Sequence, residues 1–353
     1  MYKTGICGHL GIGHNLLNGQ TIKTKAVAEE LRRRLGEGEL IIVDTYGGIK
    51  SVHRMLYQSW NMFRKCENII MMPAHKGLIV FTPVFVFYNC FFHRRLIYIV
   101  IGGWLDSFLN RNRWLVGMLK RFSDIYVETS TMKKALELRG FQNVEVMPNF
   151  KSLPLIREEE LALYHAAPYK ICTFSRVVKE KGIEDAIKVV KKVNMDRKKT
   201  VFKLDIYGPV DAEYKERFEK LCRDFPEYIR YRGAVAPEES VAVLKAYFAL
   251  IFPTQYYTEG IPGTIIDAYA AGTPVIASQW ESFSDVIEPG LTGIGYEFKN
   301  VMDLERVLIH IALYPEVIVA MKKNCLNKAK KFLPETAVRM MVDKMMKHNA
   351  GGV

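Results

Sequence analysis

From Tyr257 to Ser278 the chain reads as loop, helix, tight turn and strand, and no other stretch constrains the fold as much. Gly260, Ile261, Pro262 and Gly263 lead into the helix, and Pro262 suits its first turn, where a missing N–H costs nothing. Ile265 to Ala271 favour helix, Gly272 supplies the C-terminal stop, and Thr273 to Ala277 begin a buried strand. Such a unit belongs in a parallel α/β sheet. Glu259 precedes the helix and Asp267 lies within it, about two turns on, so both carboxylates can face one site. Free N–H groups at a helix start between two carboxylates suit a ligand with one phosphate region and two sets of hydroxyls. Sugar nucleotides have that layout. Acids on a loop–helix–strand unit are also common in any parallel α/β domain.

The N-terminal half repeats the alternation. A strand over residues 2–8 is followed by a glycine loop running from Gly8 through Gly11, Gly13, Asn18 and Gly19 to Gln20, then a helix from Thr21 to Leu35. Strand, glycine loop and helix let a backbone approach a phosphate. Gly11-Ile12-Gly13 lacks the third glycine of a dinucleotide fingerprint, and a glycine-rich turn with no ligand is the other reading. Leu40 to Val43, Asn68 to Met72, Leu96 to Ile101, Asp124 to Glu128 and Val144 to Met147 read as further strands. Helices between them imply a parallel sheet with right-handed crossovers. Ser130 is expected to cap the helix after Glu128.

One segment departs from this rhythm. Leu78 to Phe92 is almost entirely apolar and rich in Phe and Tyr, and His93, Arg94 and Arg95 close it. At 15 residues with Pro83 inside, it is short for a transmembrane helix. A helix with its inner face buried is expected, with the outer aromatics, Arg94 and Arg95 placed to touch lipid. Arg111, Arg113, Trp114, Lys120 and Arg121 form a second basic and aromatic stretch, suited to an interface or to a solvated helix face.

The second half opens with a strand from Lys170, a loop carrying Arg176 and Lys181, and a helix from Ile183 to Val193. Open α/β sheets bind ligands at the carboxyl ends of their strands. Arginine there offers a phosphate a planar fork and lysine a point charge. The polar run Arg157 to Glu160 fits a domain boundary.

At 353 residues the chain is long enough for two cores, and 49% hydrophobic with 25% charged residues excludes disorder as its main state. A net charge of +12 asks for an anionic partner. No nucleic-acid module motif is visible, so a phosphorylated substrate or an anionic membrane surface ranks above nucleic acid. The six cysteines lack C-x-x-C spacing, which argues against a metal site and fits a reducing cytoplasm. No signal peptide is expected at the start.

The order Glu259-Gly260, then Asp267, then Ala271-Gly272-Thr273-Pro274-Val275-Ile276-Ala277 resembles the donor-site signature of retaining family-4 glycosyltransferases, glycosyl transferases group 1, of the bacterial polysaccharide type. The resemblance implies a GT-B fold: two doubly wound Rossmann-like domains with a cleft between them. Residues 1–152 would form the acceptor-binding domain and 153–334 the nucleotide-sugar-binding domain, with a helix over about 335–353 crossing back to the first. Arg176 and Lys181 would clamp the donor diphosphate and Glu259 would orient the sugar, these three being the expected catalytic residues. Asp267 would hold the ribose, and Val235 would pack on the base. The loop bearing Gly13, Asn18 and Gly19 would lie near the donor diphosphate, as would Gly260, Ile261, Pro262 and Gly263.

The implied reaction moves a sugar from a nucleotide sugar such as a UDP- or GDP-sugar to an acceptor hydroxyl with retention, using no metal and no cofactor. A lipid-linked glycan acceptor and a cytoplasmic protein, peripheral at the inner face of the membrane, are expected. Two departures stand out: Asp267 replaces the family's usual glutamate, and Gly102-Gly103-Trp104 stands where many relatives have His-Gly. A sugar-nucleotide 2-epimerase of the same fold and a non-catalytic partner subunit remain the alternatives.

Overall fold

The computed structural model describes residues 2–14, 19–47, 52–162 and 166–350. They form two compact units, Met1–Ser152 with Phe332–Val353, and Leu153–Lys331.

In the first unit, strands and helices alternate. The elements are β1 (Tyr2–Gly8), α1 (Gly19–Leu35), β2 (Leu40–Asp44), α2 (Val52–Lys65), β3 (Cys66–Met71), α3 (His75–Phe92) and β4 (Arg95–Ile99). After β4 come α4 (Leu105–Arg111), α5 (Trp114–Leu119), β5 (Asp124–Val127), α6 (Ser130–Leu138) and β6 (Val144–Val146). The six strands pair in parallel in the order β2-β1-β3-β4-β5-β6. Helices cover both faces of such a sheet, so central strands are apolar throughout rather than alternating. Ile69, Ile70 and Met71 of β3 are accordingly all buried.

Three local expectations change. The apolar helix α3 begins at His75 and has 18 residues, longer than expected because its first turn takes in His75, Lys76 and Gly77, with Pro83 inside it as expected. Its length and mean hydropathy of 1.3 would allow it to cross a membrane. Leu78, Phe81, Phe85 and Val86 nevertheless pack into the core, while Ile79, Val80, Phe87 and Phe91 remain exposed. The cap of α6 is Thr129, not Ser130: its hydroxyl accepts from the Met132 amide at 3.2 Å, and Thr129 keeps the extended backbone a cap needs. The stretch from Arg111 to Arg121 is not one helix but the end of α4 and all of α5.

The second unit contains β7 (Tyr169–Phe174), α7 (Ile183–Asp196), β8 (Phe202–Tyr207), α8 (Lys215–Arg223), β9 (Ile229–Gly233), α9 (Ser240–Leu244) and β10 (Ala249–Phe252). It continues with α10 (Gly263–Ala270), β11 (Val275–Ser278), α11 (Phe283–Val286), β12 (Gly293–Tyr296), α12 (Val301–Leu313) and α13 (Glu316–Ala329). Its parallel sheet has the order β12-β11-β10-β7-β8-β9. Pro262 is the capping residue of α10 and not its first helical residue, since its ψ of 128° is extended. Gly272, at φ 60°, ends that helix as expected.

The chain closes with α14 (Pro334–Ala337) and α15 (Arg339–Ala350), which belong to the first unit. Val338, Met341, Val342 and Met345 pack against Ile6, Val27, Leu31 and Ile97. Lys344 adds ion pairs to Glu145 at 2.9 Å and Asp124 at 3.4 Å.

Candidate functional site

Read from the other edge, the second sheet runs β9-β8-β7-β10-β11-β12, so its winding reverses between β7 and β10. Ligands of open α/β sheets bind outside the carboxyl ends of the strands at such a switch point. The loop leaving β7 carries Arg176 and Lys181, and the loop leaving β10 carries Glu259.

These two loops are tied together. The Gln255 amide donates to the Glu180 carbonyl at 2.8 Å, and the Gln255 side chain donates to Asp185 at 2.9 Å. Gly182 makes the approach possible: its φ is 67°, and a Cβ there would lie 1.9 Å from the Pro253 carbonyl oxygen. The Lys181 ammonium consequently meets the Glu259 carboxylate directly. It also lies 5.2 Å from the Phe252 ring centre and 5.3 Å from that of Tyr256. Thr254, almost fully buried, donates its hydroxyl to the same Glu259 oxygen at 3.3 Å.

Arg176 is 57% exposed and reaches Asp211 at 3.7 Å. Burial pushes the Tyr256 hydroxyl above the usual phenol range, and the nearby Arg176 charge partly draws it back. Tyr256 thus stands between the two cations. Beyond them, Gly260 and Ile261 are buried, Pro262 caps α10, and Gly263 begins it. The first amides of a helix have no intrahelical acceptor. Beside them the Thr264 hydroxyl is enclosed without a protein partner. Asp267, one turn further, is 3% exposed. Val235 is half-buried in the loop after β9.

Sequence reasoning missed Thr254, Tyr256 and Thr264. Their one signal was position, since all three follow β10 at its carboxyl end. Together these groups offer two cations, helix-start amides and hydroxyls for a phosphate, and a carboxylate held ready for a polyol.

In the first unit the glycine loop after β1 is held by an acid. The Asp44 carboxylate accepts the amides of Leu10 at 3.0 Å, Gly11 at 3.2 Å, Ile12 at 2.8 Å and Tyr46 at 2.9 Å. Burial works to raise this carboxyl, and the four amides outweigh it, keeping Asp44 below the ordinary carboxylate range. The amides of residues 10–12 are therefore satisfied within the protein. Gly13, at φ 82°, lies just past them, Gly19 begins α1, and Asn18 is outside the described residues. A cavity of about 390 Å³ lined by Ile12, His14, Tyr46 and Arg54 adjoins the loop.

Residues 163–331, just under half of the chain, match the family model of glycosyl transferases group 1. The second unit is a group 1 glycosyltransferase domain. An uncharacterized glycosyltransferase of Methanocaldococcus jannaschii is 27% identical to this chain over 144 residues, 40% of this chain and 36% of that protein. The match thus spans little more than a third of that relative. Among solved structures, sucrose-phosphate synthase from Thermosynechococcus elongatus superposes with a TM-score of 0.75 at 14% identity, covering 100% of both chains. HepE of Anabaena, in complex with UDP and glucose, gives a TM-score of 0.73 at 12% identity over 98% of this chain and 100% of that one. At such identities the likeness carries the fold, which is GT-B, with one Rossmann-like α/β domain in each unit. The group 1 domain contains Arg176, Lys181, Glu259 and Asp267.

Proposed function

We propose that this protein is a retaining glycosyltransferase that moves a sugar from a nucleotide sugar to an acceptor hydroxyl. The observation that carries the reading is the Lys181–Glu259 contact at the switch point of a group 1 domain. It sets a phosphate-binding cation beside a hydroxyl-binding carboxylate, the junction a sugar diphosphate needs. Arg176, Lys181 and the amides at the start of α10 receive the diphosphate, Glu259 takes sugar hydroxyls, and Asp267 takes the ribose.

In the transfer, the bond from the anomeric carbon to the diphosphate oxygen breaks with its electron pair on that oxygen. The acceptor oxygen bonds to the anomeric carbon on the same face, and its proton passes to the departing diphosphate. Arg176 and Lys181 stabilise the charge as it grows, which is where preorganised cations contribute most. The scheme calls on no metal or cofactor.

The acceptor we propose is a lipid-linked glycan of surface polysaccharide synthesis, met at an anionic membrane. Support comes from α3 and α5, which pack together and expose Phe87, Phe91 and Trp114. Arg111, Arg113, Lys120 and Arg121, at the end of α4 and around α5, are all exposed. Because HepE was solved with UDP and glucose, UDP-sugars are the first donors to try.

Incubation with a panel of UDP- and GDP-sugars, with and without membrane extract, tests the reaction. Release of nucleoside diphosphate is expected with one donor. Diphosphate binding with no turnover of any donor would instead mark a non-catalytic partner subunit.

A further inference from the structure

A second charged cavity lies in the group 1 domain, away from the switch point. It encloses about 330 Å³ on the face of β7, β8 and β9, near the amino ends of β7 and β8. Side chains alternate along strands, so Lys170, Lys203, Asp205 and Arg230 share this face. Lys170 is the register partner of Lys203, and Asp205 that of Arg230. Like charges directly opposite on neighbouring strands destabilise a sheet. The Lys170–Lys203 pair is therefore a cost of the free protein.

Two acids line the cavity, Asp205 and Glu227, against Lys170, Lys203, Arg230 and Arg232, and Asp205 is already engaged. A bulge between Ile206 and Tyr207 sets Tyr231 opposite Ile206 and Gly233 opposite Tyr207, leaving Arg232 as the extra residue. Bulges re-aim side chains, and here Arg232 turns onto Asp205 at 2.8 Å. The buried Tyr247 hydroxyl donates to the other Asp205 oxygen at 2.7 Å and bonds Tyr207 at 2.8 Å. Among the described residues Lys170, Lys203 and Arg230 form no ion pair, and all three line the same cavity.

We propose that this cavity binds a small soluble anion bearing two or more phosphates, held by Lys170, Lys203 and Arg230 over the Asp205–Arg232–Tyr247 floor. The ligand relieves the cross-strand repulsion and meets three cations that form no ion pair among the described residues, the Arg230 Nε donating to the Glu227 carbonyl at 3.4 Å. The site is independent of the donor diphosphate site, whose residues lie at the carboxyl ends of the strands.

Calorimetry with inorganic pyrophosphate tests the proposal on the full chain. Wild type is expected to show two classes of site. Lys203→Ala should weaken one of them by ~10-fold, the order expected for one charge-assisted hydrogen bond, and Lys203→Glu with Arg230→Glu should abolish it. Arg176→Ala with Lys181→Ala should remove only the other. Because it relieves repulsion, Lys203→Ala should leave the melting temperature unchanged or raise it. An isotherm unaffected by the charge reversals, or a Lys203→Ala protein that melts several degrees lower, overturns the assignment. Loss of the Arg176 and Lys181 class alone would bear on the transferase reading, not on this one.

Discussion

Lys181 and Glu259 stand 78 positions apart and share a direct ion pair, with Thr254 bonded to the same carboxylate oxygen. Both side chains are mostly buried, at 16% and 17% exposure, so the pair is weakly screened. Under the proposed function, a diphosphate entering the site would meet a lysine already positioned by Glu259.

For that reason, Lys181→Ala and Arg176→Ala are each expected to lower turnover by ~10² or more, the usual effect of removing one transition-state donor. Arg176→Ala should keep the wild-type melting temperature because Arg176 is largely exposed. Lys181→Ala should melt lower, since it strands the Glu259 charge. Steady-state kinetics with thermal melts separate the two effects, and full activity in either variant removes that residue from the clamp.

Gly182→Ala should disassemble the site from outside it. The left-handed backbone alone costs a non-glycine residue ~1–2 kcal/mol. The new Cβ would also sit 1.9 Å from the Pro253 oxygen, forcing the two loops apart. A melting temperature lowered by several degrees is expected, with nucleotide affinity lost along with it. Unchanged affinity would show that the loops can bind while separated.

Asp267 lies on α10 at 3% exposure, so a longer side chain has little room. Asp267→Glu is expected to cost ~1–3 kcal/mol of stability through overpacking. Asp267→Ala should raise the Michaelis constant for the nucleotide sugar more than it lowers turnover, because ribose contacts are nearly equal in ground and transition states. Calorimetry with UDP decides: equal affinity in wild type and Asp267→Ala would mean that this carboxylate does not touch the nucleotide.

The aromatic and basic surface of α3 and α5 predicts co-sedimentation with anionic vesicles. Binding should weaken above physiological salt, where exposed charges are screened within ~8 Å. Phe87→Ser with Phe91→Ser should reduce it at every salt concentration, since both side chains are exposed and apolar. Equal sedimentation with neutral vesicles would count against an electrostatic component.

Lys322 on α13 predicts a pH dependence of stability. It is 1% exposed and donates to the Tyr247 carbonyl at 3.3 Å. Burial pushes its ammonium from the ordinary 10.5 down to about 8. Between those values the unfolded chain holds a proton that the folded protein has released, so stability rises with pH. The slope is at most ~1.4 kcal/mol per pH unit. Lys322→Met should be more stable at pH 7 and should lose the rise between pH 8 and 9. Urea unfolding of both proteins across that range checks it, and parallel curves would exclude Lys322 as the cause.

The sequence by itself determined the alternation of strands and helices, the glycine stop at Gly272 and the carboxylates Glu259 and Asp267 around one helix start. These are local properties, set by periodicity, capping and backbone preference within a few residues. Even there, Pro262 and Ser130 fell one position from their expected roles, because a cap is chosen by backbone angle as well as by residue type. Only the tertiary structure decided which loops meet. Strand order places β10 beside β7, and nothing local to either strand specifies that neighbour. From that adjacency follow the Lys181–Glu259 pair and the place of Tyr256 between two cations. The capture of the first glycine loop by Asp44 depends likewise on β2 lying beside β1, and the turn of Arg232 onto Asp205 on a one-residue bulge. Periodicity shows that a strand exists and which face is apolar; the partner and the register come from packing the whole sheet.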